Sequence, residues 1–194
     1  MISILRAVAL ALPLAGGEQA AKVKPNPEKS IQAGLAWLAR HQSSDGSWGV
    51  ASLAKRCTAS KGCCDPRLDL TDHYDEGLTG LALLCFLRSG FDDQTDKDLA
   101  DPLTGKPFHP RTTVASGLAW LKKTQTKGGS FGRTMPFVYN DSIGTLAMIE
   151  AFAATKNTTW KDCAQRGVEF LLKSQRPNPT DDGPWGWRYL SRST

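Results

Sequence analysis

Residues 117–132 read GLAWLKKTQTKGGSFG, and the same arrangement stands at 34–49 (GLAWLARHQSSDGSWG) and at 167–186 (GVEFLLKSQRPNPTDDGPWG). The shared form is Gly, aliphatic, any residue, aromatic, Leu, three residues, Gln, a spacer, then Gly, any residue, aromatic, Gly. Its corresponding positions are Gly34, Gly117 and Gly167; Trp37, Trp120 and Phe170; Gln42, Gln125 and Gln175; and Trp48, Phe131 and Trp185. A fixed arrangement in three copies identifies a repeat architecture, in which each unit buries its apolar face against its neighbours.

A second element lies between the copies. Residues 74–84 (YDEGLTGLALL) match 139–149 (YNDSIGTLAMI), with Tyr74 on Tyr139 and Glu76 on Asp141. The offset is 65 here but 83 between the first two glutamine motifs, so an insertion of 18 residues falls near 49–73. A second insertion near 91–111, rich in Asp, Thr, Gly and Pro, reads as a long loop.

The two elements differ in periodicity. Ile31, Leu35 and Leu38, and again Val114, Leu118 and Leu121, follow i, i+4, i+7, an amphipathic helix with one buried face. The second element is apolar nearly all round: Leu78, Leu81, Leu83, Leu84, Phe86 and Leu87, then Ile143, Leu146, Met148, Ile149 and Phe152. A helix apolar on all sides is buried on all sides. Helices are expected near 28–42, 74–89, 112–125, 140–155 and 160–174, as an outer amphipathic layer and an inner apolar one. The fold class is all-α. A glycine inside a helix costs about 1 kcal/mol relative to Ala, so Gly34, Gly117 and Gly167 are expected where helices approach too closely for a Cβ. Each Gln stands at a helix end, where its amide is expected to satisfy free carbonyls.

Arg166-Gly167-x-x-Phe170-Leu171-x-x-x-Gln175, followed by Gly183-x-Trp185, resembles the Gln–Trp repeat of the prenyltransferase and squalene-oxidase repeat proteins. That family includes squalene–hopene type cyclases and protein prenyltransferase beta subunits. Over about residues 28–190, the resemblance implies an α/α toroid around a central cavity. The chain accommodates about two and a half helix pairs, an incomplete toroid, since the closed ring implied by the family needs roughly twice as many. The family's catalytic groups do not carry over. The Asp-x-Asp-Asp-Thr acid of the cyclases has no match at 69–76 or 139–142, and the prenyltransferase zinc set has none either.

Asp72, Asp75 and Glu76 open one inner helix and Asn140 and Asp141 the next, which in a toroid stand at one end of the cavity. Clustered carboxylates there would supply a general acid; equally, Asp and Asn at helix starts cap free N–H groups. No cofactor is expected. Cys57, Cys63 and Cys64 lie in one polar loop before His73, but the spacing C-x5-C-C lacks the paired spacing of a tetrahedral zinc site. No metal is therefore expected, with these four residues as the alternative set. Cys85, in LALLCFL, reads as an inert core residue.

The 194 residues carry a net charge of +5, with 40% hydrophobic residues and 22% charged, enough apolar content to bury a core. Residues 65–101 hold ten acidic and three basic residues, so the remainder is basic; its charges are scattered as on solvated helix faces, which does not suggest nucleic acid. No uncharged apolar run reaches the roughly 18 residues of a membrane span. Residues 1–27 read as a signal peptide or linker: MISILR, then AVALALPLA, then Gly16-Gly17. The same stretch reads alternatively as a worn inner helix of a preceding repeat, against which Pro13 counts. Export and a cytoplasmic location both stay open. Residues 28–194 form the repeat domain. Its expected role is a non-catalytic toroid segment that binds a hydrophobic small molecule or protein partner, as a homo-oligomer or joined to the remainder of the ring. The alternatives are a remnant of a terpene cyclase or prenyltransferase-type enzyme and a secreted carbohydrate-active toroid. For an exported chain, non-reducing mass mapping should find Cys57 linked to Cys63 or Cys64; three free thiols would contradict both the staple and export.

Overall fold

The computed structural model describes residues 26–50, 74–132, 137–177 and 184–189. Within them the fold is all-α. Helices α1 (Pro27–His41) and α2 (Asp75–Arg88) are followed by a hairpin of β1 (Leu99–Ala100) and β2 (Pro107–Phe108). Then come α3 (Pro110–Thr124), α4 (Val138–Thr155), α5 (Thr158–Ser174) and a second hairpin of β3 (Arg176–Pro177) and β4 (Pro184–Gly186). The cysteine insertion, including Cys57, Cys63, Cys64, Asp72 and His73, lies outside the described residues.

Local chemistry sets the helix ends. Asn26 accepts from Lys29 N at 3.2 Å, with Pro27 in the first turn, and Asn157 accepts from Thr159 N at 3.0 Å. Each motif helix, α1, α3 and α5, stops at its glutamine, where the backbone turns extended: φ, ψ are −68°, 135° at Gln42, −61°, 125° at Gln125 and −64°, 136° at Gln175.

The apolar helices α2 and α4 pack side by side, α3 packs on α2, and α5 on α4, while α1 touches α2 and α3. Val114, Leu118 and Leu121 of α3 are wholly buried among Leu83, Phe86 and Met148 of the core. The matching face of α1 is less complete: Leu35 is buried, but Ile31 is 54% exposed. The apolar helices depart from the expectation of burial all round. Among the described residues, each keeps a partly exposed stripe.

The motif helices are stitched by their glutamines, and not in the way expected from helix ends alone. Gln42 Nε2 donates to Gly46 O at 3.0 Å and to Thr113 O of α3 at 2.8 Å. Gln125 Nε2 donates to Gly129 O at 3.1 Å and to Cys163 O of α5 at 2.9 Å. The amide thus serves its own turn and the next motif helix, four residues before that helix's glycine in both cases. The turn glycines share the contact. Gly46 (φ 96°) and Gly129 (φ 98°) leave only 2.3 and 2.1 Å between a would-be Cβ and Ser116 O or Arg166 O. Gly117 and Gly167 are close-contact positions too, 2.9 Å from Leu83 Cδ2 and 2.2 Å from Thr145 Oγ1, whereas Gly34 has nothing within 4 Å. The closing aromatics return to the stack: Trp48 is buried and donates its indole N–H to Leu38 O at 2.8 Å, and Phe131 is wholly buried. In the third copy Trp187 donates its indole N–H to the equivalent carbonyl, Leu171 O, at 2.7 Å.

The insertion near 91–111 is not all loop. Leu99 pairs with Phe108 and Ala100 with Pro107, antiparallel, and α3 begins already at Pro110. This strap ties two motif helices. Arg40 of α1 pairs with Asp101, and Gln32 Nε2 donates to Ala100 O at 2.6 Å. At the other end, Trp160 of α5 donates its indole N–H to Asp93 Oδ2 at 3.1 Å. The Leu103 amide, helped by Thr104 and Arg40, holds the Asp101 carboxyl below the ordinary carboxylate range.

Replacing Gly129 by Ala should lower stability by more than the roughly 1–2 kcal/mol of a left-handed backbone, because the Cβ also meets Arg166 O. Urea unfolding measures it. Gly128→Ala, whose nearest atom is Thr126 Oγ1 at 3.9 Å, is the control; equal midpoints for the two variants would refute the contact.

Candidate functional site

Small residues let α2 and α4 abut, so their partly exposed sides lie on adjacent helices. A Cβ on Gly77 would lie 2.6 Å from Asn140 Oδ1, and one on Gly80 would lie 2.8 Å from Ile143 Cγ2. On α2 the stripe carries Leu78 (37% exposed), Leu81 (48%) and Cys85; on α4 it carries Leu146 (37%) and Ile149 (39%). Four large aliphatic side chains facing solvent on adjacent helices form a patch that a soluble surface normally keeps small.

The two ends of this patch differ. Where α2 and α4 begin, Tyr74 stacks on Phe137 at 5.4 Å, Phe137 meets Tyr189 edge-on at 4.9 Å, and Tyr139 meets Tyr189 at 5.4 Å. Val138 N donates to Tyr189 O at 3.1 Å, which brings the C-terminal stretch to the start of α4. A hydrogen bond with Tyr74 pushes the Tyr189 phenol up from its ordinary value. Where α2 and α4 end, Arg88 Nη2 bonds Glu150 Oε1 at 3.1 Å. The surface is therefore aromatic and hydroxyl-bearing at one rim, aliphatic in the middle and ionic at the other rim. It suits an elongated apolar molecule with a polar end, or the apolar face of another helix.

The carboxylates at the helix starts face elsewhere. Asp75 Oδ1 accepts from Val50 N at 3.0 Å, and Asp75 Oδ2 would lie 2.8 Å from a Cβ on Gly49. Asp141 is wholly buried and accepts from Phe131 N at 2.7 Å and Ser130 Oγ at 2.9 Å. Glu76 and Asn140 are buried as well. Asp75 and Asp141 thus each fasten the turn that follows a glutamine motif to the next apolar helix. Asp72 lies outside the described residues. So do Cys57, Cys63, Cys64 and His73, and no group of three or more His, Cys, Asp or Glu that could hold a metal occurs among the described residues.

Of the repeat residues, Gly117, Gln42, Gln125, Trp48 and Phe131 form the stack itself, with Gly167 at the α4–α5 contact and Gln175 at the end of α5. The sequence did not single out Leu78, Leu81, Leu146 and Ile149 as exposed, since all belong to runs apolar on every side. Cys85, expected in the core, is exposed on this stripe. Cys163 is the buried thiol, and burial pushes it up from its ordinary value. Among the described residues no helix is long and apolar enough to cross a membrane. No family model, curated protein or solved structure matches the chain.

Asp141→Ala should destabilise the protein by roughly 1–3 kcal/mol, the cost of leaving buried donors unpaired, with Asp141→Asn milder. Urea titration tests this. A loss within about 0.5 kcal/mol, as at an ordinary surface position, would free Asp141 for a role other than holding the turn.

Proposed function

We propose that this chain is a segment of an α/α toroid of the squalene cyclase and prenyltransferase repeat type, and that it binds rather than transforms. Its ligand is a hydrophobic small molecule, or the apolar face of a protein partner, held on the joint surface of α2 and α4. The observation that carries this is the pair of adjacent stripes, Leu78 and Leu81 beside Leu146 and Ile149, left open between an aromatic rim and the Arg88–Glu150 pair. These side chains are 37–48% exposed, so covering each contributes a fraction, roughly a third to a half, of the about 1.5–3 kcal/mol of a full burial, and the four act together.

The repeat supports the toroid reading. Motif helices linked through Gln42 and Gln125, with the apolar helices α2 and α4 packed on each other, are what such a ring would require of its repeats. A binding role suits the carboxylates, because Asp75 and Asp141 hold turns and are not directed at the apolar surface.

The test is titration with 1-anilinonaphthalene-8-sulfonate, followed by displacement with farnesol. The unaltered chain should bind the dye and release it to farnesol. Leu146→Asp combined with Ile149→Asp should weaken dye binding by about tenfold or more, the loss of two buried side chains, with helix content unchanged by circular dichroism. Dye binding that is absent, or indifferent to both substitutions, would sink the proposal.

A further inference from the structure

The joint between motif helices has a giving side and a receiving side. The giving side is the end of one motif helix: a glutamine amide, and a ring that returns over the helix end. The receiving side is the next motif helix: a carbonyl four residues before its glycine, and that glycine itself. Gln42 meets Thr113 O in this way, and Gln125 meets Cys163 O. In the first joint Trp48 also fills the space at Gly117, its Cζ3 lying 3.0 Å from where a Cβ would stand.

Among the described residues, one receiving side and one giving side are left over. Helix α1 is the motif helix that receives nothing. Ser30 and Gly34 are exposed on it, whereas their counterparts Thr113 and Gly117 in α3, and Cys163 and Gly167 in α5, are all buried. A Cβ on Gly34 would meet no described atom within 4 Å. Helix α5 ends in a giving side that meets no further motif helix. Gln175 leaves it in the extended conformation of Gln42 and Gln125. Trp187 makes the indole bond that Trp48 makes, yet Trp187 is 48% exposed and Trp48 is 4% exposed.

The two leftovers match. Both belong to one repeat, so the register that sets Gln42 on Thr113 O sets Gln175 on Ser30 O. Within one chain α3 stands between α1 and α5, bonded to both, so a second copy is what brings the two sides together. We propose that copies of this chain join head to tail, with Gln175 of one copy donating to Ser30 O of the next and Trp187 closing over Gly34. Contacts between unlike surfaces form a ring when the rotation closes. Two copies bring three motif helices each, twice what one chain holds, and the ring read from the repeat requires roughly that number. The expected assembly is therefore a closed pair with two such joints. This rests on the toroid part of the reading above and not on the ligand.

Light scattering on the full chain should give the mass of two chains. Gly34→Leu leaves the single chain folded, by circular dichroism, since a Cβ there meets nothing and Gly is a poor helix former. It should nevertheless raise the concentration needed for pairing by about tenfold or more, the effect of crowding a packed contact. Gln175→Ala with Trp187→Ala removes the giving side and should weaken pairing in the same direction. An equimolar mixture of the two variants keeps one sound joint and should pair more tightly than either alone. A monomer at every concentration, or a pair indifferent to Gly34→Leu, would overturn the proposal. So would a mixture that pairs no better than its components, because like surfaces are then meeting, or growth beyond two chains, because the ring then fails to close. A monomer that binds the dye and releases it to farnesol loses this joint and keeps the ligand.

Discussion

The glutamine amide that donates two ways at once is the interaction on which the stack depends. One N–H goes to the carbonyl of its own turn glycine, the other to a carbonyl in the next motif helix, at Thr113 and at Cys163. Each bond is worth about 1 kcal/mol net, so the energy is modest and the geometry is what matters. Both acceptors are backbone atoms, so the next helix can vary in side chain and still be recognised. The amide reaches them only if the turn is tight, which requires the left-handed glycines Gly46 and Gly129, and only if that turn presses on the neighbouring backbone without a Cβ. Glutamine, turn glycine and flanking carbonyl form one device, and it occurs twice in nearly the same form.

From this device the layering follows. With α1, α3 and α5 held in a row, the chain returns between them through α2 and α4, which fill the space behind the row. Asp75 and Asp141 fasten each return to the turn just made. The motif therefore acts in sequence: helix end, turn, aromatic lid, carboxylate clamp, apolar helix. The partly exposed stripes are what remains of α2 and α4 after these contacts, and Gly77 and Gly80 let the two helices close on one another.

Much of this was legible in the sequence. Three copies of one motif located the helices to within about two residues, which is as fine as a helix boundary is defined. The close contacts at Gly117 and Gly167 and the burial of Val114, Leu118 and Leu121 followed from spacing. Other features were hidden, for physical reasons. A run such as LALLCFL has no periodicity to mark the side facing away, so Leu81 and Cys85 read as core. The partner of a glutamine amide is a backbone carbonyl some 40 to 70 residues away, and carbonyls have no sequence signal. Asp75 and Asp141 were visible as polar helix starts, but capping and acid chemistry use the same residue types, and only the position of the acceptor oxygens tells them apart. The small hairpin at Leu99 and Phe108 lacks the length that would make a strand pattern detectable.

The strap from Phe91 to Phe108 alters how such a stack comes apart. A linear array of repeats joined only to nearest neighbours can fray from either end, one unit at a time. Here Asp93 holds Trp160 of α5 while Asp101 and the Ala100 carbonyl hold Arg40 and Gln32 of α1, so the two outermost motif helices are tied through one short segment. Among the described helices, neither α1 nor α5 opens without loosening the strap, which also holds the other. The array thereby acquires the cooperativity of a closed structure while its helices remain arranged in a row, at the expense of contacts distant in sequence that must form late in folding.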